Sequence, residues 1–454
     1  MIYSDLLFLL GLLPITLILS MLDRSAEYKN LILVLSSLVF ISWGKPFSVC
    51  LVFLTVFTEW LIGIWIDKTN EKGKKAYFAI VVDGAMNIAV MIFALQKLLY
   101  VNSEPFDFGK YIIPLYFCFY TLRGFGYCFD IFKGRIKAER NPFCLITYLC
   151  GFIFMAVGIN SGYSDLEPQI RKRTQNLKAA SDGASAFVCG LSKAVLLAYP
   201  LEQVANSCMN NKSGLLDSWI CVFTTFGFVY FLFTGFCDIS YGIAKIMGFD
   251  VEKNYTDITA QGFFGGIIKS TNTYMYSLFE NIGLSLSGNS KIMKGIMTLI
   301  LCIAGALWYH ISNRFLLAGI ILAIAALLEI SLLKGFFKKA PSFLRLIVTA
   351  AGIVLVFGAL ISSSPLEFFK SLAGLGTKGI ISQNVLKAVL GNIFVLIASL
   401  LMISPFKRKI KHKAESYSAL SVEKYSKISI LKTVLLAILL IMSLLTVISM
   451  NIKL

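Results

Sequence analysis

Histidine is almost missing from this 454-residue sequence, which contains only His310 and His412. Cysteine occurs ten times, but no two cysteines form a Cys-x-x-Cys pair, and nearly all of them lie in apolar runs. Structural zinc sites are usually built from closely spaced cysteines together with histidines. We therefore expect no metal site and no disulfide framework, and we interpret the cysteines as small buried hydrophobic residues.

Long hydrophilic stretches are also missing, which argues against a separate soluble domain. The chain is 57% hydrophobic with a mean hydropathy of +0.77, and its apolar runs approach the ~20 residues with which an α-helix crosses a bilayer. Because backbone groups in lipid need internal hydrogen bonds, these runs are predicted to be helices. The clear runs are residues 6–21, 47–66, 77–95, 111–132, 215–235, 293–309, 315–333, 346–361, 385–403 and 430–450.

Shorter or more polar segments raise the tally to roughly 11–13 crossings or half-crossings. These segments are residues 30–43, 143–159 and 184–204. The sequence thus predicts an all-α polytopic membrane protein with one integral membrane domain over residues 1–454, which has a core at 1–335 and C-terminal helices at 336–454. The segment 250–290 is too polar for a lipid-facing helix and is predicted to be re-entrant, since irregular backbone at membrane depth lies inside protein or along a cavity.

Acidic residues are few beside the basic ones, 25 against 42, and the net charge is +17. Such a charge could indicate nucleic-acid binding, but the basic residues cluster in short loops between apolar runs, for example at residues 68–75, 133–140 and 407–413. This distribution is typical of the positive-inside rule, with anionic lipid headgroups as the counter-charge. We therefore expect the lipid bilayer, and no nucleic acid, as a partner.

Ionisable residues inside apolar runs are costly and mark candidate functional positions. Asp238 is the most prominent, because Gly235 and Gly242 would let backbones approach closely beside its carboxylate. Arg123 and Asp130, seven residues apart on one predicted helix, could form an ion pair. The candidate positions are Glu59, Asp83, Arg123, Asp130, Asp217, Asp238, Lys245, Glu280, Arg314 and Glu329.

Short motifs follow one another in a fixed order along the first half of the chain. They include Tyr-Ser-Asp-Leu-Leu-Phe-Leu-Leu-Gly-Leu-Leu-Pro-Ile at residues 3–15, Phe-Ile-Ser-Trp-Gly at 40–44, Tyr-Ser-Asp at 163–165 and Thr-Gly at 234–235 ahead of Asp238. In these motifs the chain resembles the membrane-bound O-acyltransferase (MBOAT) family, and within it the bacterial branch of alginate O-acetylation and teichoic-acid D-alanylation. The resemblance covers about residues 1–335 and is strong through Tyr255.

The resemblance implies a ring of membrane helices around a central funnel in the bacterial plasma membrane. It also implies transfer of an acyl group, here an acetyl group, from an intracellular thioester donor such as acetyl-CoA or an acyl carrier protein. The acceptor would be a hydroxyl of a cell-surface polysaccharide, and an extracellular esterase-like protein would take part in the transfer. No bound cofactor is implied.

The family's two histidine motifs are altered in this sequence. Where the family motif Leu-Trp-His-Gly supplies the general base, this chain reads Leu307-Trp308-Tyr309 and His310 follows. At the position of the family's other histidine, this chain has Thr271. The catalytic candidates implied by the resemblance are therefore His310, Tyr309 and Thr271. The residues implied to line the funnel or site are Asp238, Lys269, Asn272, Glu280 and Trp308.

Two hypotheses follow from these departures, and a third comes from another class of protein. Neighbouring residues on a helix point about 100° apart, so His310 reaches the slot of Tyr309 only through a helix rotation or a one-residue bulge. The first hypothesis is an active acyltransferase that acylates a cell-surface polysaccharide and could use His310. The second is an inactive family member that serves as scaffold or partner of an active paralogue. A transporter or flippase is the third hypothesis, but no inverted repeat of broken helices supports it.

Overall fold

The structure, a computed structural model, describes residues 3–22, 25–43, 46–69, 73–99, 108–155, 159–210, 214–256, 272–287, 291–309, 313–328, 342–361, 365–403 and 422–452. The chain divides into two compact units, and each is described by itself. Unit 1 comprises Met1–Phe187 and Phe236–Asn254, and unit 2 comprises Val188–Gly235 and Tyr255–Leu454.

Helices dominate the described residues, and the part of the chain that the structure describes has no β-strand beyond two isolated bridges. The predicted all-α fold class is therefore confirmed. The α-helices are α1 (Leu13–Leu22), α2 (Ala26–Ser42), α3 (Phe47–Lys68), α4 (Lys74–Leu99), α5 (Phe108–Phe132), α6 (Pro142–Cys150), α7 (Phe152–Met155), α8 (Tyr163–Arg171), α9 (Leu177–Ser192), α10 (Tyr199–Asn210), α11 (Leu215–Ile246), α12 (Thr273–Ser287), α13 (Lys291–Tyr309), α14 (Asn313–Leu328), α15 (Ser342–Ile361), α16 (Pro365–Leu372), α17 (Gln383–Gly391), α18 (Ile393–Ile403) and α19 (Val422–Ile452). The π-helical segments are Phe8–Leu12 and Lys193–Ala198.

Several of these helices are long and apolar enough to span a membrane, which confirms the polytopic membrane class. Within the described residues, four continuous helical stretches pass this criterion, and a bent pair, α17 with α18, makes up to five. The stretches are Ser48–Lys68, Leu177–Met209, Leu215–Ile246 and Ser426–Met450. The tally of 11–13 crossings and the ring around a funnel stay predictions, and residues 257–271 and 288–290 of the predicted re-entrant segment lie outside the described residues.

The spans differ in how much of their surface other protein covers. In α11, 83% of the most apolar window is buried inside protein, whereas in α19 only 11% is buried. Exposed apolar side chains cover the rest of α19, including Leu431, Leu435 and Ile438. Such a continuous apolar surface needs lipid around it, so α11 is an interior helix and α19 is a lipid-facing one.

The predicted run at residues 385–403 is two helices rather than one. α17 ends at Gly391, and α18 begins at Ile393 after a bend of 69°. Asn392 separates them, because its side-chain Nδ2 donates to the carbonyl oxygen of Ala388 at 2.9 Å and its N–H donates to that of Val389 at 3.2 Å. Asparagine side chains that bond to nearby carbonyls favour such helix ends.

The core of unit 1 gathers around Tyr3, whose side chain is fully buried. Its hydroxyl donates to the carbonyl oxygen of Phe152 at 2.5 Å and accepts from Ser240 Oγ at 3.1 Å. The rings of Phe8 and Phe40 lie 5.3 and 5.6 Å from the Tyr3 ring, which is within the range of favourable aromatic contacts. These contacts tie the start of the chain to α7 and to the C-terminal half of α11.

Glycines bring α9 and α11 into backbone contact, as the glycines around Asp238 predict. In unit 1, a Cβ atom added at Gly242 would lie 2.5 Å from the carbonyl oxygen of Gly183. In unit 2, one added at Gly235 would lie 2.8 Å from the carbonyl oxygen of Gly190. Small residues at helix interfaces permit this close packing in membranes, and the prediction from Gly235 and Gly242 is confirmed.

We expect Gly242→Ala to lower the free energy of unfolding by about 1–3 kcal/mol, the usual cost of overpacking. The added methyl group would meet Gly183 O at 2.5 Å and Phe187 N at 2.7 Å, and both are backbone atoms that cannot rotate away. Thermal melting of the detergent-solubilised protein measures the change. Gly11→Ala is the control, since nothing lies within 4 Å of a Cβ atom at that helical position. Equal melting temperatures for the two variants would contradict the prediction.

The predicted ion pair between Arg123 and Asp130 is wrong. Arg123 Nη2 donates to the carbonyl oxygen of Ser161 at 3.2 Å, and the Arg123 guanidinium carbon lies 4.4 Å from the Tyr148 ring centroid. Asp130 pairs with Arg135 at 3.0 Å. Seven residues on one helix are separated by a rise of roughly 10 Å, so each side chain finds a nearer partner.

Candidate functional site

The predicted catalytic positions lie at the edge of what the structure describes. Tyr309 is the last residue of α13, directly after Trp308, and only the backbone of these two residues is described. His310, Thr271 and Lys269 lie outside the described residues. The roles of these five residues therefore stay predictions.

Two further predicted site residues belong to α12 or its start. Asn272 is fully buried, and its Oδ1 accepts from the N–H of Met275 at 2.9 Å, while its carbonyl oxygen accepts from the N–H of Tyr276 at 3.2 Å. These bonds satisfy backbone donors at the helix start, the usual role of an N-terminal asparagine cap. Glu280, on the same helix, is exposed. Asn272 thus starts α12, which leads into α13.

Close contacts fix the rotation of α13 about its axis in unit 2. A Cβ atom added at Gly305 would lie 3.0 Å from the Phe279 ring of α12, and one added at Gly319 of α14 would lie 2.9 Å from Ala306 Cβ. Two neighbouring residues of α13 therefore touch two different helices. A rotation of about 100°, which would bring His310 to the slot of Tyr309, would take both residues out of these contacts. These contacts therefore argue against a rotation of the described part of α13.

Asp238, the most prominent predicted site residue, forms a buried ion pair in unit 1. Its Oδ1 lies 2.5 Å from Lys253 Nζ; the Asp238 side chain is 2% exposed and that of Lys253 is 38% exposed. Lys253 Nζ also lies 5.2 Å from the Tyr241 ring centroid, and its backbone forms the bridge with Ile159. The pair thus presents an accessible ammonium, anchored by a buried carboxylate, that can donate to an oxygen of a bound molecule.

The sequence did not point to Lys253. It lies seven residues after the end of α11, within the segment predicted to be re-entrant, and only the turn after the helix brings it back to Asp238. Gly248 shapes that turn with a φ of 88°, which favours glycine. A glycine shortly after a long apolar run is a turn signal, and it could have suggested that the following residues fold back.

Lys193 is a second cation that the sequence analysis missed, and it is buried. It begins the π-helical segment Lys193–Ala198 in unit 2 and is 7% exposed. Its Nζ donates to the hydroxyl of Tyr255 at 3.1 Å. Just before it, Ser192 Oγ and Ser443 Oγ of α19 share a hydrogen bond at 3.2 Å. A lysine within an apolar run is the sequence signal for this position, and π-helical turns are frequent at functional sites.

A cleft of about 540 Å³ lies beside α8 in unit 1, outside the spans. At its wall, Glu139 Oε2 accepts from the Tyr163 hydroxyl and from Arg171 Nη2, both at 2.5 Å. Burial raises the pKa of the Glu139 carboxyl, but these bonds and the N–H of Asn141 outweigh it and hold the pKa below its usual range. The cleft is lined by Arg135, Ile136, Lys137, Ala138, Glu139, Arg140, Asn141, Ser164, Glu167 and Arg171.

The three arginines of this cleft already have acidic partners. Arg135 pairs with Asp130, and Arg140 pairs with Asp67 at 2.8 Å. Arg171 pairs with Glu139. The arrangement stabilises the loop between α5 and α6 against α8, and it resembles a structural network more than an anion site.

Three side chains with metal-binding groups lie together in unit 1: Glu59 of α3, Asp83 of α4 and Cys128 of α5. One potential ligand atom from each lies within 4.8 Å of the others, and the described part of the chain contains no second group of this kind. Glu59 and Asp83 were recognised singly as ionisable residues in apolar runs. Cys128 was interpreted as an ordinary hydrophobic residue, and only the packing of three helices reveals the cluster.

Comparison with known proteins gives relatives that act on bacterial polysaccharides. The chain is 25% identical over 338 residues to a protein of Pseudomonas syringae pv. tomato named as a probable alginate O-acetylase, covering 70% of this chain and 64% of the relative. A protein of the same name from Pseudomonas fluorescens is 27% identical over 336 residues, with the same coverage. A peptidoglycan O-acetyltransferase of Helicobacter pylori is 22% identical over 371 residues, covering 72% of this chain and 69% of the relative.

The chain spans just under two thirds of the length of the two alginate O-acetylases. No protein-family model matches it. The relatives' names nevertheless agree with the MBOAT resemblance of the sequence motifs, which is thereby confirmed.

Proposed function

From its similarity to MBOAT-type polysaccharide O-acetyltransferases, we propose that this multi-pass membrane protein is an O-acyltransferase of the bacterial plasma membrane. It would transfer an acetyl group from an intracellular thioester, acetyl-CoA or an acyl carrier protein, to hydroxyls of a cell-surface polysaccharide. An extracellular esterase-like protein is the proposed partner in this transfer. The observation that carries the proposal is the match to alginate O-acetylases and a peptidoglycan O-acetyltransferase over 70–72% of the chain.

The proposed reaction needs one proton transfer and no oxidant or reductant. The acceptor hydroxyl oxygen attacks the thioester carbonyl carbon, the carbon–sulfur bond breaks, and an ester and a free thiol form. His310 would take the proton of the hydroxyl and return it to the leaving sulfur as general base and then acid.

The alternative is an inactive homologue that acts as scaffold or partner of an active paralogue. The observation that favours it is the occupation of the two histidine slots by Thr271 and Tyr309. A tyrosine hydroxyl with a pKa near ~10 is a poor general base at neutral pH, and threonine is no base at all. In this case the protein would still bind its partner proteins but would not catalyse acyl transfer.

Deleting the gene tests the proposed function. We expect a clear loss of ester-linked acetate in the surface polysaccharide, measured as acetate released by mild base per sugar residue, and its return on complementation. Unchanged acetate in the deletion strain would contradict both proposals. Two results together would favour the scaffold. The acetate level would fall in the deletion strain but not in any variant substituted at residues 271, 309 or 310, and an intact paralogue would co-purify with the protein.

A further inference from the structure

We propose that Glu59, Asp83 and Cys128 bind a divalent metal ion of the zinc class between α3, α4 and α5. The site lies within unit 1 and shares no residue with the proposed transfer reaction. Its failure would therefore leave the proposed function untouched. The proposal replaces the expectation from sequence that the chain binds no metal.

The geometry brings three different helices to one point. Cys128 Sγ lies 3.2 Å from Glu59 Oε2, and the nearest ligand atoms of Glu59, Asp83 and Cys128 are all within 4.8 Å of one another. Tetrahedral zinc with oxygen ligands at ~2.0–2.2 Å and sulfur at ~2.3 Å holds its ligand atoms about 3.3–3.8 Å apart. The observed separations therefore need only small side-chain movements to close around an ion.

The second observation is an unsatisfied buried oxygen. Asp83 is fully buried, and its Oδ2 has no hydrogen-bond partner among the described residues. Glu59 is 1% exposed, and no basic side chain in the described part of the chain pairs with either carboxylate. An uncompensated carboxylate in an apolar interior is strongly unfavourable. A metal cation bound to Asp83 Oδ2 would give this oxygen a partner and would neutralise the charge of the carboxylate.

Surrounding residues are shaped to hold the carboxylates in place. A Cβ atom added at Gly124 would lie 2.4 Å from Glu59 Oε1, so the glycine makes room for this carboxylate. Asn87 Nδ2 donates to Glu59 Oε1 at 2.7 Å and lies 3.4 Å from Asp83 Oδ1. A hydrogen bond from outside the ligand set is the usual means of orienting metal-binding carboxylates.

The ligand types select the class of ion. Two carboxylates alone would suit magnesium or calcium, but those ions take oxygen ligands, and a thiolate is a ligand for zinc and its softer neighbours. Binding would release the thiol proton of Cys128, since a coordinating cysteine is deprotonated. Because the three ligands are buried, the ion would be acquired during folding and exchange slowly.

The metal content of the full-length protein tests the proposal. The protein is purified in detergent through a tag that does not bind metal, from cells supplied with zinc, and metals are measured by mass spectrometry. We expect about one zinc per chain in the wild type and its loss in Asp83→Asn and Cys128→Ser. Cys150→Ser is the matched control, because Cys150 is an equally buried free thiol of unit 1 and lies outside the cluster; this variant should keep the zinc.

A spectroscopic measurement keeps the test independent of stability. Cells grown with cobalt instead of zinc should give protein with a sulfur-to-cobalt charge-transfer band, which disappears in Cys128→Ser and persists in Cys150→Ser. The isosteric double variant Glu59→Gln/Asp83→Asn should elute as a folded species without metal. Substoichiometric zinc in the wild type, or equal zinc in all variants, would overturn the proposal; the two carboxyls would then share a proton.

Discussion

His310→Ala is expected to slow acetyl transfer by a factor of about 10²–10⁴, the usual contribution of a general base. No other histidine lies near the altered Leu-Trp-His-Gly motif, and the neighbouring Tyr309 cannot accept a proton efficiently at neutral pH. The measurement is the initial rate of transfer from labelled acetyl-CoA to polysaccharide in membranes that contain the variant at wild-type abundance. An unchanged Michaelis constant for the acceptor, with a lowered turnover number, would indicate loss of chemistry rather than of binding.

His412→Ala is the matched control. His412 is the remaining histidine of the chain and lies in the basic tract at residues 407–413, far along the sequence from the motif. This variant should transfer at the wild-type rate. Full activity of His310→Ala would remove His310 from the mechanism, and a larger loss in Tyr309→Phe would assign the role to the Tyr309 hydroxyl.

Lys253→Met is expected to lower the free energy of unfolding by about 1–3 kcal/mol, the usual cost of removing a hydrogen bond to a buried charged group. The Asp238 carboxylate is 2% exposed and would lose the hydrogen bond from the ammonium 2.5 Å away. A fully buried pair would cost about 3–5 kcal/mol, but the Lys253 side chain is 38% exposed, so water reaches part of the pair. The midpoint of thermal unfolding in detergent, with yield of monodisperse protein, measures the effect.

Lys245→Met is the control for this second variant, since it removes the same charge from the same neighbourhood. Lys245 also lies near the Tyr241 ring and its side chain is 15% exposed, but its partner Asp250 is 90% exposed and stays solvated without it. Ion pairs that water reaches in this way contribute about 0–1 kcal/mol, so this variant should melt close to the wild type. If the two variants melted at the same temperature, Asp238 would not depend on Lys253 for its burial.

The helical architecture was predictable because its signals are local. An apolar run long enough to span the membrane consists of consecutive residues. The glycines that predict a close helix contact beside Asp238 lie within eight positions of sequence. The 69° bend at Asn392 was missed, although its cause is also local. A single polar residue in a long apolar run is weak evidence when most such residues are tolerated inside helices.

The partners of the buried polar groups were not predictable in the same way. Glu59 and Cys128 are 69 residues apart, and Asp238 and Lys253 lie on opposite sides of a turn. Which charges meet depends on helix rotation and packing, which a single sequence does not record. The wrong pairing of Arg123 with Asp130 shows the same difficulty: proximity along a helix suggested a contact, while the three-dimensional neighbours Ser161 and Arg135 were nearer.

Through the lipid-facing helix α19, unit 2 is sensitive to the thickness of the bilayer. The stretch Ser426–Met450 has 25 residues and a length of roughly 37 Å, which exceeds the ~30 Å of the hydrocarbon core. A stretch of this length is accommodated by tilting, by kinking or by local thickening of the bilayer. Because Ser443 is bonded to Ser192, the residue before the π-helical segment, a movement of α19 in the membrane would act directly on the start of that segment.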